Sequence, residues 1–277
     1  MVLIDFVEAR EILDSRGYPT VEARVVLNDG RSEISSVPSG VTKSTYEAIE
    51  LRDADASRYS GQGVQHAVKN INEIISPRMK KMNPIEQYNI DKVLNELDQT
   101  PNKAHLGSNA TLAVSQAVAR IGAVVNEKPL WSHINDLLLK TRAKNALGEE
   151  AELITNQRNP KLPIPIMNIF SGGRHSHSQM PFQEFIVVPI KGLKPEQQVQ
   201  MGAHIRHNVE KIFLEKGIFF GDSIEGGLTA NISDYKLVIE TILTSMHNVG
   251  LKVREDVAIA IDVAADYIPN FNPAAYV

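Results

Sequence analysis

The 277-residue sequence contains no cysteine and one tryptophan, and aromatic residues of every kind make up only 6% of it. Without cysteine there is neither a disulfide bond nor a thiolate metal site. Carboxylates, histidines and hydroxyl groups remain as the main side chains able to hold a metal ion. Such donors favour a hard ion, so any bound metal is expected to be one such as Mg²⁺.

Long apolar runs are also missing. No stretch approaches the ~18 uninterrupted apolar residues of a membrane-spanning helix. The amino terminus carries Asp5, Glu8, Arg10 and Glu11, where a secretory signal peptide needs a continuous apolar block. The sequence therefore predicts a cytoplasmic protein with no membrane-spanning segment.

The sequence has no basic stripe either. Its 29 lysines and arginines are outnumbered by 33 acidic residues, which gives a net charge of -4 with the signs mixed along the chain. Binding to a nucleic-acid backbone requires clustered positive charge, so nucleic acid is not expected as the primary partner. The hydrophobic content of 43% is enough for a soluble globular protein with a sizeable core, and the length is enough for two domains.

Residues 1–139 predict an α+β domain that begins with an antiparallel meander. Apolar and polar side chains alternate from Thr20 to Asn28, and Asn28-Asp29-Gly30 then supplies a hairpin turn. Helical spacing follows, and a third helix is predicted to begin after Asn109 and to run to about Val125. The apolar stripes of the first two predicted helices are Val64, Ala67, Val68, Ile71, Ile74 and Ile75, then Ile90, Val93, Leu94 and Leu97.

Residues 140–161 mix charges of both signs and end in Asn159-Pro160, which predicts a solvated linker or insertion. Residues 162–277 then alternate strand and helix patterns, as at the beginning of a β/α barrel. Such a barrel takes ~250 residues, so either the barrel is incomplete here or the fold is a reduced one. The predicted elements are strands at Ile164–Phe170, Phe182–Val188 and Val257–Ile261, and helices at about Pro195–Glu215 and Ser233–Val249.

Two places in this second region carry side chains suited to acid-base or metal chemistry. His175 in a glycine-rich segment and Glu184 lie near the ends of apolar runs, although a histidine in such a loop is more often a surface residue. Asp262 follows a buried strand, and the carboxyl ends of barrel strands form the usual active face. A solvated aspartate at a strand end is the alternative interpretation of Asp262.

Several segments along the chain carry a family resemblance. They are Asp14-Ser15-Arg16-Gly17 with Pro19-Thr20-Val21-Glu22, the loop from Val37 to Ser44 with Glu50-Leu51-Arg52-Asp53, Gly107-Ser108-Asn109-Ala110, Gly172-Gly173-Arg174-His175, and Gly221-Asp222-Ser223-Ile224-Glu225-Gly226-Gly227. In this order they resemble the enolase family. The resemblance implies an enolase-type α+β domain followed by an incomplete enolase-type β/α barrel, and a homodimer. It also implies a glycolytic lyase that dehydrates 2-phosphoglycerate to phosphoenolpyruvate with Mg²⁺.

The resemblance also implies catalytic roles. The histidine at the position of His175 contacts the substrate, and the glutamates at Glu184 and Glu225 assist departure of the hydroxyl group. Glu225 is expected to be the primary acid and Glu184 its partner. Gln183 and Glu184 join His175 as expected substrate-binding residues. Hydroxide is a poor leaving group, and a carboxyl group kept protonated by burial and a like-charged neighbour is suited to donate the proton.

Two further residues are implied as metal ligands. Asp262 resembles the first of three acidic ligands of the principal Mg²⁺ of the family. Ser39 occupies the position of the serine that helps to coordinate a second Mg²⁺. The two partner carboxylates of Asp262 and the lysine base of the family have no matching positions up to Val277, so we expect them to lie outside this sequence.

The sequence departs from the family pattern at the mobile loop and around the histidine. Val41, Lys43 and Ser44 replace the usual loop residues, and Arg174 and His177 replace smaller ones. Changes in a loop that closes over substrate alter how water is excluded from the site.

The segment with Glu225 is two residues longer than in the family pattern, which leaves Asp222 as an alternative to Glu225 for the catalytic acid. Glu225 is preferred because it keeps the Gly-Gly that follows. The departures leave two other hypotheses open. One is a catalytically inactive enolase-like binding protein, and the other is an enolase relative that acts on another phosphorylated or phosphonate carboxylic acid.

Overall fold

The computed structural model of the chain describes residues 1–41, 44, 46–145, 161–176 and 179–267. The chain divides into two compact units, Met1–Asn159 and Pro160–Val277. Among the helices of the described ranges, none is both long and apolar enough to cross a membrane.

The first unit opens with the predicted meander. Strands β1 (Ile4–Leu13), β2 (Pro19–Leu27) and β3 (Ser32–Ser36) pair antiparallel in that order. The apolar positions of β2 alternate as expected, because one face of the central strand is buried and the other is not. The buried side chains of that face are Val21, Ala23, Val25 and Leu27.

Helices then cover the buried face of the sheet. Their bounds are α1 Gln65–Lys69, a π-helical segment Asn70–Ile75, α2 Ser76–Met79, α3 Gln87–Asp98, α4 Ser108–Val125 and α5 Leu130–Asn145. Helix α4 contacts β2 and β3 directly, and its small residues Ala110, Ala113 and Ala117 are fully buried. This arrangement confirms the α+β order of the first unit.

One predicted helix is interrupted. The stripe that begins at Val64 runs through the π-helical segment, where Ile74 lies partly exposed while Ile71 and Ile75 are buried. Pro77 follows at once, has no N–H to donate, and its ring excludes the carbonyl of Glu73 from a regular α-turn. The wider turns before Pro77 accommodate that clash.

The first residues of the predicted linker are helical, since α5 continues to Asn145. Residues 146–160 of that linker lie outside the described residues. The division into domains at 1–139, 140–161 and 162–277 therefore stays a prediction.

The second unit contains a mixed five-stranded sheet in the order β6-β7-β4-β5-β8. Strands β4 and β7 are parallel, and the other neighbours are antiparallel. Over the described residues this sheet is open, as expected for part of a barrel. The strands are β4 Met167–Ser171, β5 Glu184–Pro189, β6 Phe220–Asp222, β7 Leu228–Ala230 and β8 Val257–Asp262.

Strand β4 begins three residues later than predicted from Ile164, because Pro163 and Pro165 cannot donate hydrogen bonds to a sheet. The short strands β6 and β7 were not predicted, since three residues are too few to show an alternating pattern. Helices α6 (Pro195–Glu215) and α7 (Tyr235–Asn248) lie close to their predicted positions.

Aromatic packing fixes the two strands nearest the candidate site. Phe170 at the end of β4 packs edge-on against Phe185 of β5 and Phe213 of α6, with ring centroids 6.0 Å apart in both pairs. All three rings are fully buried. The residues next to Phe170 and Phe185 in sequence are therefore held on a rigid support.

Candidate active site

The glycine-rich turn after β4 folds back over the start of β5. The Gly172 N–H donates to the Gln183 carbonyl (2.8 Å) and the His175 N–H to the Gly172 carbonyl (3.1 Å). A Cβ at Gly172 would lie 2.3 Å from the Phe182 carbonyl oxygen, so no larger residue fits without a shift. The turn buries the His175 side chain, which is only 5% exposed.

Strand pairing aligns two acidic residues beside this turn. Glu184 is the first residue of β5, where it pairs with Ser171 of β4 on one side and with Asp262 of β8 on the other. The same edge of the sheet therefore carries the end of β4, the start of β5 and the end of β8.

A five-residue hairpin loop between β6 and β7 brings a third acid to this edge. The Ser223 N–H donates to the Gly227 carbonyl (2.8 Å), and the Ser223 and Ser171 hydroxyl groups lie 2.8 Å apart. Gly226 has a φ of +79°, which favours glycine, and a Cβ at Gly227 would lie 2.6 Å from the Ser171 Oγ. The two glycines thus let the loop approach β4 closely, and Glu225 projects from it.

The three side chains converge. The His175 Nδ1 lies 3.0 Å from Glu225 Oε2 and 3.3 Å from Glu184 Oε1. Neither contact has hydrogen-bond geometry, and no described residue forms a hydrogen bond with that nitrogen. One ligand atom from each residue lies within 4.8 Å of the other two. An imidazole and two carboxyl groups therefore face one another in a small volume.

Glu225 alters the protonation of Glu184. A hydrogen bond with Glu225 raises the pKa of Glu184 to about 8, and burial and the negative charges of Glu225 and Asp262 act in the same direction. At neutral pH the Glu184 carboxyl group is therefore mostly protonated, because two like charges this close do not both ionise readily. The pair holds a proton that it can donate.

Gln183 and Asp262 form a neighbouring polar contact. The Gln183 Nε2 donates to Asp262 Oδ2 (3.2 Å), and the backbone N–H of Ala264 donates to Asp262 Oδ1 (2.9 Å). Within the described part of the chain, the buried Oε1 of Gln183 has no hydrogen-bond partner. Asp262 is the last residue of β8, so its carboxylate lies at the strand end, as the sequence predicted.

In the first unit, Ser39 lies in a different environment. Arg52 donates to its hydroxyl oxygen (2.6 Å), and Arg16 donates to its carbonyl oxygen (2.6 Å). Arg52 also pairs with Glu50 at 2.7 Å, and Arg16 pairs with Asp14 at 2.7 Å. Both oxygens of Ser39 thus face cationic groups, so metal binding by this residue requires at least one arginine to move.

Comparison with known protein families shows which family the chain belongs to. The model of the enolase N-terminal domain matches residues 4–134, and that of the enolase C-terminal TIM barrel domain matches residues 159–276. This chain belongs to the enolase family. The expected fold class, an enolase-type α+β domain followed by part of the barrel, is confirmed, and the protein is a lyase-type enzyme of the enolase superfamily.

Because one segment is longer than in the enolase pattern, the sequence left Asp222 and Glu225 as alternatives for the catalytic acid. Asp222 ends β6, is 71% exposed, and forms an ion pair with Arg206 of α6. Glu225 instead lies beside His175 and Glu184. The geometry therefore brings Glu225, rather than Asp222, into the cluster.

Among the residues that depart from the enolase pattern, Arg174 and Ser44 lie in the part of the chain that the structure describes. Arg174 is exposed, and its guanidinium lies over the ring of Tyr267 at 5.2 Å from the ring centroid. Ser44 lies at the start of a short turn, where its hydroxyl accepts from the Tyr46 N–H (3.2 Å). Lys43 and His177 lie outside the described residues.

Asp262 and Gln183 fit a hard metal ion. Mg²⁺ is usually held by one or two carboxylates with several waters, and amide oxygens are also suitable donors. The carboxylate of Asp262 and the unpartnered amide oxygen of Gln183 offer such donors side by side. The His175, Glu184 and Glu225 group is a different donor set, because it includes a nitrogen atom.

Sequence reasoning missed the residues that hold the enolase site in place. Ser171 and Ser223 join β4 to the Glu225 loop, and Arg206 holds Asp222 away from the cluster. The sequence carries no signal for these contacts, because each joins residues that are distant in the chain or differ from the family motif. Arg52 was noticed only as part of a motif, yet it is the donor to Ser39.

Proposed function

We propose that the protein dehydrates 2-phosphoglycerate to phosphoenolpyruvate and that this chain supplies the acid for the departing hydroxyl group. The observation that carries the proposal is the convergence of Glu184, Glu225 and His175 at one edge of the second sheet. Membership of the enolase family supports the reaction class. The homodimer and the cytoplasmic location stay predictions.

The acid pair matches the chemical requirement of the leaving group. When the carbon–oxygen bond breaks, the departing oxygen must take up a proton to leave as water. The raised pKa of Glu184 keeps a proton on the pair at neutral pH. Glu225 is the more exposed member, with 41% of its side chain accessible, so it faces an incoming substrate and passes on the proton that Glu184 shares.

His175 and Gln183 position the reactants. The buried imidazole of His175 has its Nδ1 3.0 Å from Glu225 Oε2 and 3.3 Å from Glu184 Oε1, so the ring lies against the acid pair. The side chain of Gln183 orients the carboxylate of Asp262. Mg²⁺ held by Asp262 would supply Lewis-acid stabilisation of negative charge next to the substrate carboxylate. Removal of the proton beside that carboxylate belongs to a separate base.

The test is an assay of phosphoenolpyruvate formation by the intact protein purified from its source, with 2-phosphoglycerate and Mg²⁺. Substitution of Glu225→Gln should lower the rate by about 10²–10⁴-fold, the usual contribution of general acid catalysis. Asp222→Asn is the matched control in the same loop and should keep the rate close to that of the wild type. No turnover by the intact wild-type protein would disprove the proposal and favour an inactive binding protein.

One observation favours a second candidate, an enolase relative acting on another phosphorylated or phosphonate carboxylic acid. Arg174 directly precedes His175, and its guanidinium is stacked on Tyr267. A stacked guanidinium keeps N–H groups at its edges for bidentate binding of an anion. A panel of such acids, assayed with wild type and Arg174→Ala, distinguishes the two. A better substrate than 2-phosphoglycerate whose KM rises in the variant would favour the second candidate.

A further inference from the structure

We propose that His133 is a pH-sensitive attachment point, which keeps helix α5 docked on the first unit at neutral pH and releases it in mild acid. The attachment point consists of the buried imidazole of His133 and its neighbours Asn126 and Gly122. It lies outside the candidate active site, and it operates whether or not the protein dehydrates 2-phosphoglycerate.

Helix α5 has few apolar contacts with the rest of the first unit. It packs against α4, yet none of its described residues belongs to the apolar core of that unit. Over residues 130–141, whose burial the structure describes, His133 is the one fully buried side chain, with 2% exposed. Trp131, Ile134 and Leu138 are about half exposed instead. A helix that buries so little apolar surface opens locally at a low free-energy cost, and the state of its buried imidazole then decides that cost.

The docked imidazole has no room for the water that a charged ring requires. A Cβ at Gly122 of α4 would lie 3.0 Å from the His133 Nε2 and 2.7 Å from the Pro84 carbonyl oxygen. The ring edge thus lies directly over the α4 backbone, and within the described part of the chain its buried Nε2 has no hydrogen-bond partner. Burial of an ionised group costs far more than burial of a neutral polar one, so the docked position favours the uncharged ring.

Asn126 fixes which nitrogen of the neutral ring carries the proton. Its Nδ2 lies 3.3 Å from the His133 Nδ1. An amide nitrogen can only donate, so the Nδ1 accepts and the proton is on Nε2. Protonation places a second N–H at Nδ1, where it faces another donor. The contact with Asn126 is then lost, and the ring regains hydrogen bonds from water once α5 moves away.

The charged groups near the ring are Asp136 and Lys140 of α5 and Lys128 of the turn that precedes α5. Burial has the largest effect and lowers the pKa of His133 below its ordinary value of 6.5, while Asp136 raises this pKa and the two lysines lower it. A hydrogen bond from Lys128 lowers the pKa of Asp136, which therefore stays ionised in mild acid. The neighbours from α4 and the Pro84 carbonyl do not titrate. His133 is thus the group of this set that changes charge in mild acid.

The direction of the effect follows from this lowered pKa. Above pH 6.5 the ring is neutral in both the docked and the released helix, so docking is at its strongest. Below pH 6.5 the released helix takes up a proton that the docked helix binds poorly, and the opening equilibrium constant rises roughly tenfold per pH unit until the docked ring is itself protonated. Mild acid thus releases α5 while the apolar core of the first unit stays folded.

Hydrogen exchange followed by mass spectrometry tests this release on the intact protein between about pH 8 and about pH 5. Protection factors are corrected for the intrinsic exchange rate at each pH. In α5 they should fall roughly tenfold per pH unit below 6.5, and in α4 they should stay constant. His133→Gln removes the titrating ring, so the protection of α5 should no longer depend on pH. His105→Gln is the matched control, because His105 is an exposed histidine of the same unit.

A second variant keeps the test valid where α5 does not dock in His133→Gln. Asn126→Asp supplies a carboxylate that accepts from the protonated Nδ1 of His133, so α5 should lose less protection in acid than in the wild type. The fluorescence of Trp131, the only tryptophan of the sequence, should change with pH in parallel with the protection of α5.

Three results would overturn the attachment point. They are protection of α5 that does not depend on pH, equal losses of protection in α4 and α5, and wild-type losses in both His133→Gln and Asn126→Asp. Equal losses in the two helices would mean that acid unfolds the whole unit rather than releasing one helix. A loss that disappears in His105→Gln would assign the effect to another histidine and would also contradict the proposal.

Discussion

The carboxylates around Ser39 and those around His175 have opposite surroundings. In the first unit Asp14 pairs with Arg16 and Glu50 pairs with Arg52. In the second unit Glu184 and Glu225 face each other and a histidine, and no lysine or arginine of the described ranges pairs with either. The carboxyl groups around Ser39 are thus neutralised by arginine, whereas the pair in the second unit is neutralised by a shared proton.

The pKa of Asp14 in the first region is lowered, whereas that of Glu184 in the second region is raised. Burial alone raises the pKa of Asp14, but hydrogen bonds from the Tyr18 N–H and from Arg16 outweigh it and lower that pKa. In Glu184 a hydrogen bond with Glu225, burial and nearby negative charge all raise the pKa. A carboxylate paired with a cation stays ionised and orders the chain, whereas a carboxyl group paired with another acid holds a proton for chemistry.

Removing the cation from the first region should have the largest effect on stability. Arg52→Met leaves the half-buried Glu50 without its cationic partner and also removes the donor to Ser39 and to the Pro19 and Gln62 carbonyls. Loss of one partner of a buried ion pair costs about 3 kcal/mol. Urea unfolding of wild type and variant measures the change in the free energy of unfolding.

Arg24→Met is the control for that measurement. Arg24 pairs with Glu8 at 3.1 Å, but both side chains are about half exposed, and such pairs contribute only ~0–1 kcal/mol. Equal losses in the two variants would mean that the arginines around Ser39 are no more important to the fold than those on the surface.

The second region should be more sensitive to backbone shape than to charge. In Gly227→Ala the new methyl group would lie 2.6 Å from the Ser171 Oγ, so the Glu225 loop must move away from β4. We expect a loss of ~1–3 kcal/mol in unfolding free energy, typical of overpacking, with lower activity in the proposed reaction. Gly221→Ala is the control in the same hairpin, because no atom lies within 4 Å of its added Cβ. A stable, fully active Gly227→Ala would contradict the fixed position of Glu225.

The sequence alone predicts the local elements of both regions but not how the site residues approach one another. The alternation in β2 predicted the meander, because one face of that strand is buried, and helical spacing predicted α4. The resemblance pointed to His175, Glu184 and Glu225 as site residues. Their mutual approach depends on the register of β4, β5 and β8, and on a loop two residues longer than the family pattern, which no local pattern encodes.

The raised pKa of Glu184 predicts a loss of stability as the pH rises, whereas the lowered pKa of Asp14 in the arginine-paired region predicts a loss as the pH falls. The pKa of Glu184 is raised from 4.5 to about 8 in the folded state, so the folded state binds more protons than the unfolded state between these values. The stability from this group is present below pH 4.5 and is lost as the pH rises through about 8. Glu184→Gln should remove this loss, an effect on the order of 1 kcal/mol.

Thermal unfolding of wild type and Glu184→Gln, compared between about pH 5 and about pH 9, checks this dependence. The wild type should lose more stability than the variant over that range. Asp222→Asn should behave as the wild type, since Asp222 pairs with Arg206 outside the cluster. Parallel curves for wild type and Glu184→Gln would show that the carboxyl pair does not share a proton.

The smallest expected effect is the difference between Glu225 and Asp262 in how far each raises the pKa of Glu184. The charge of Asp262 contributes less to the raised pKa of Glu184 than the hydrogen bond and charge of Glu225 do. Carbon-13 NMR titration of the Glu184 carboxyl group should therefore show a smaller fall in pKa for Asp262→Asn than for Glu225→Gln. The new amide should keep its contact, because the unpartnered Oε1 of Gln183 can accept its N–H after a rotation of the Gln183 amide. A larger fall in Asp262→Asn would mean that Asp262 of β8, rather than Glu225 of the hairpin loop, is the main cause of the raised pKa of Glu184.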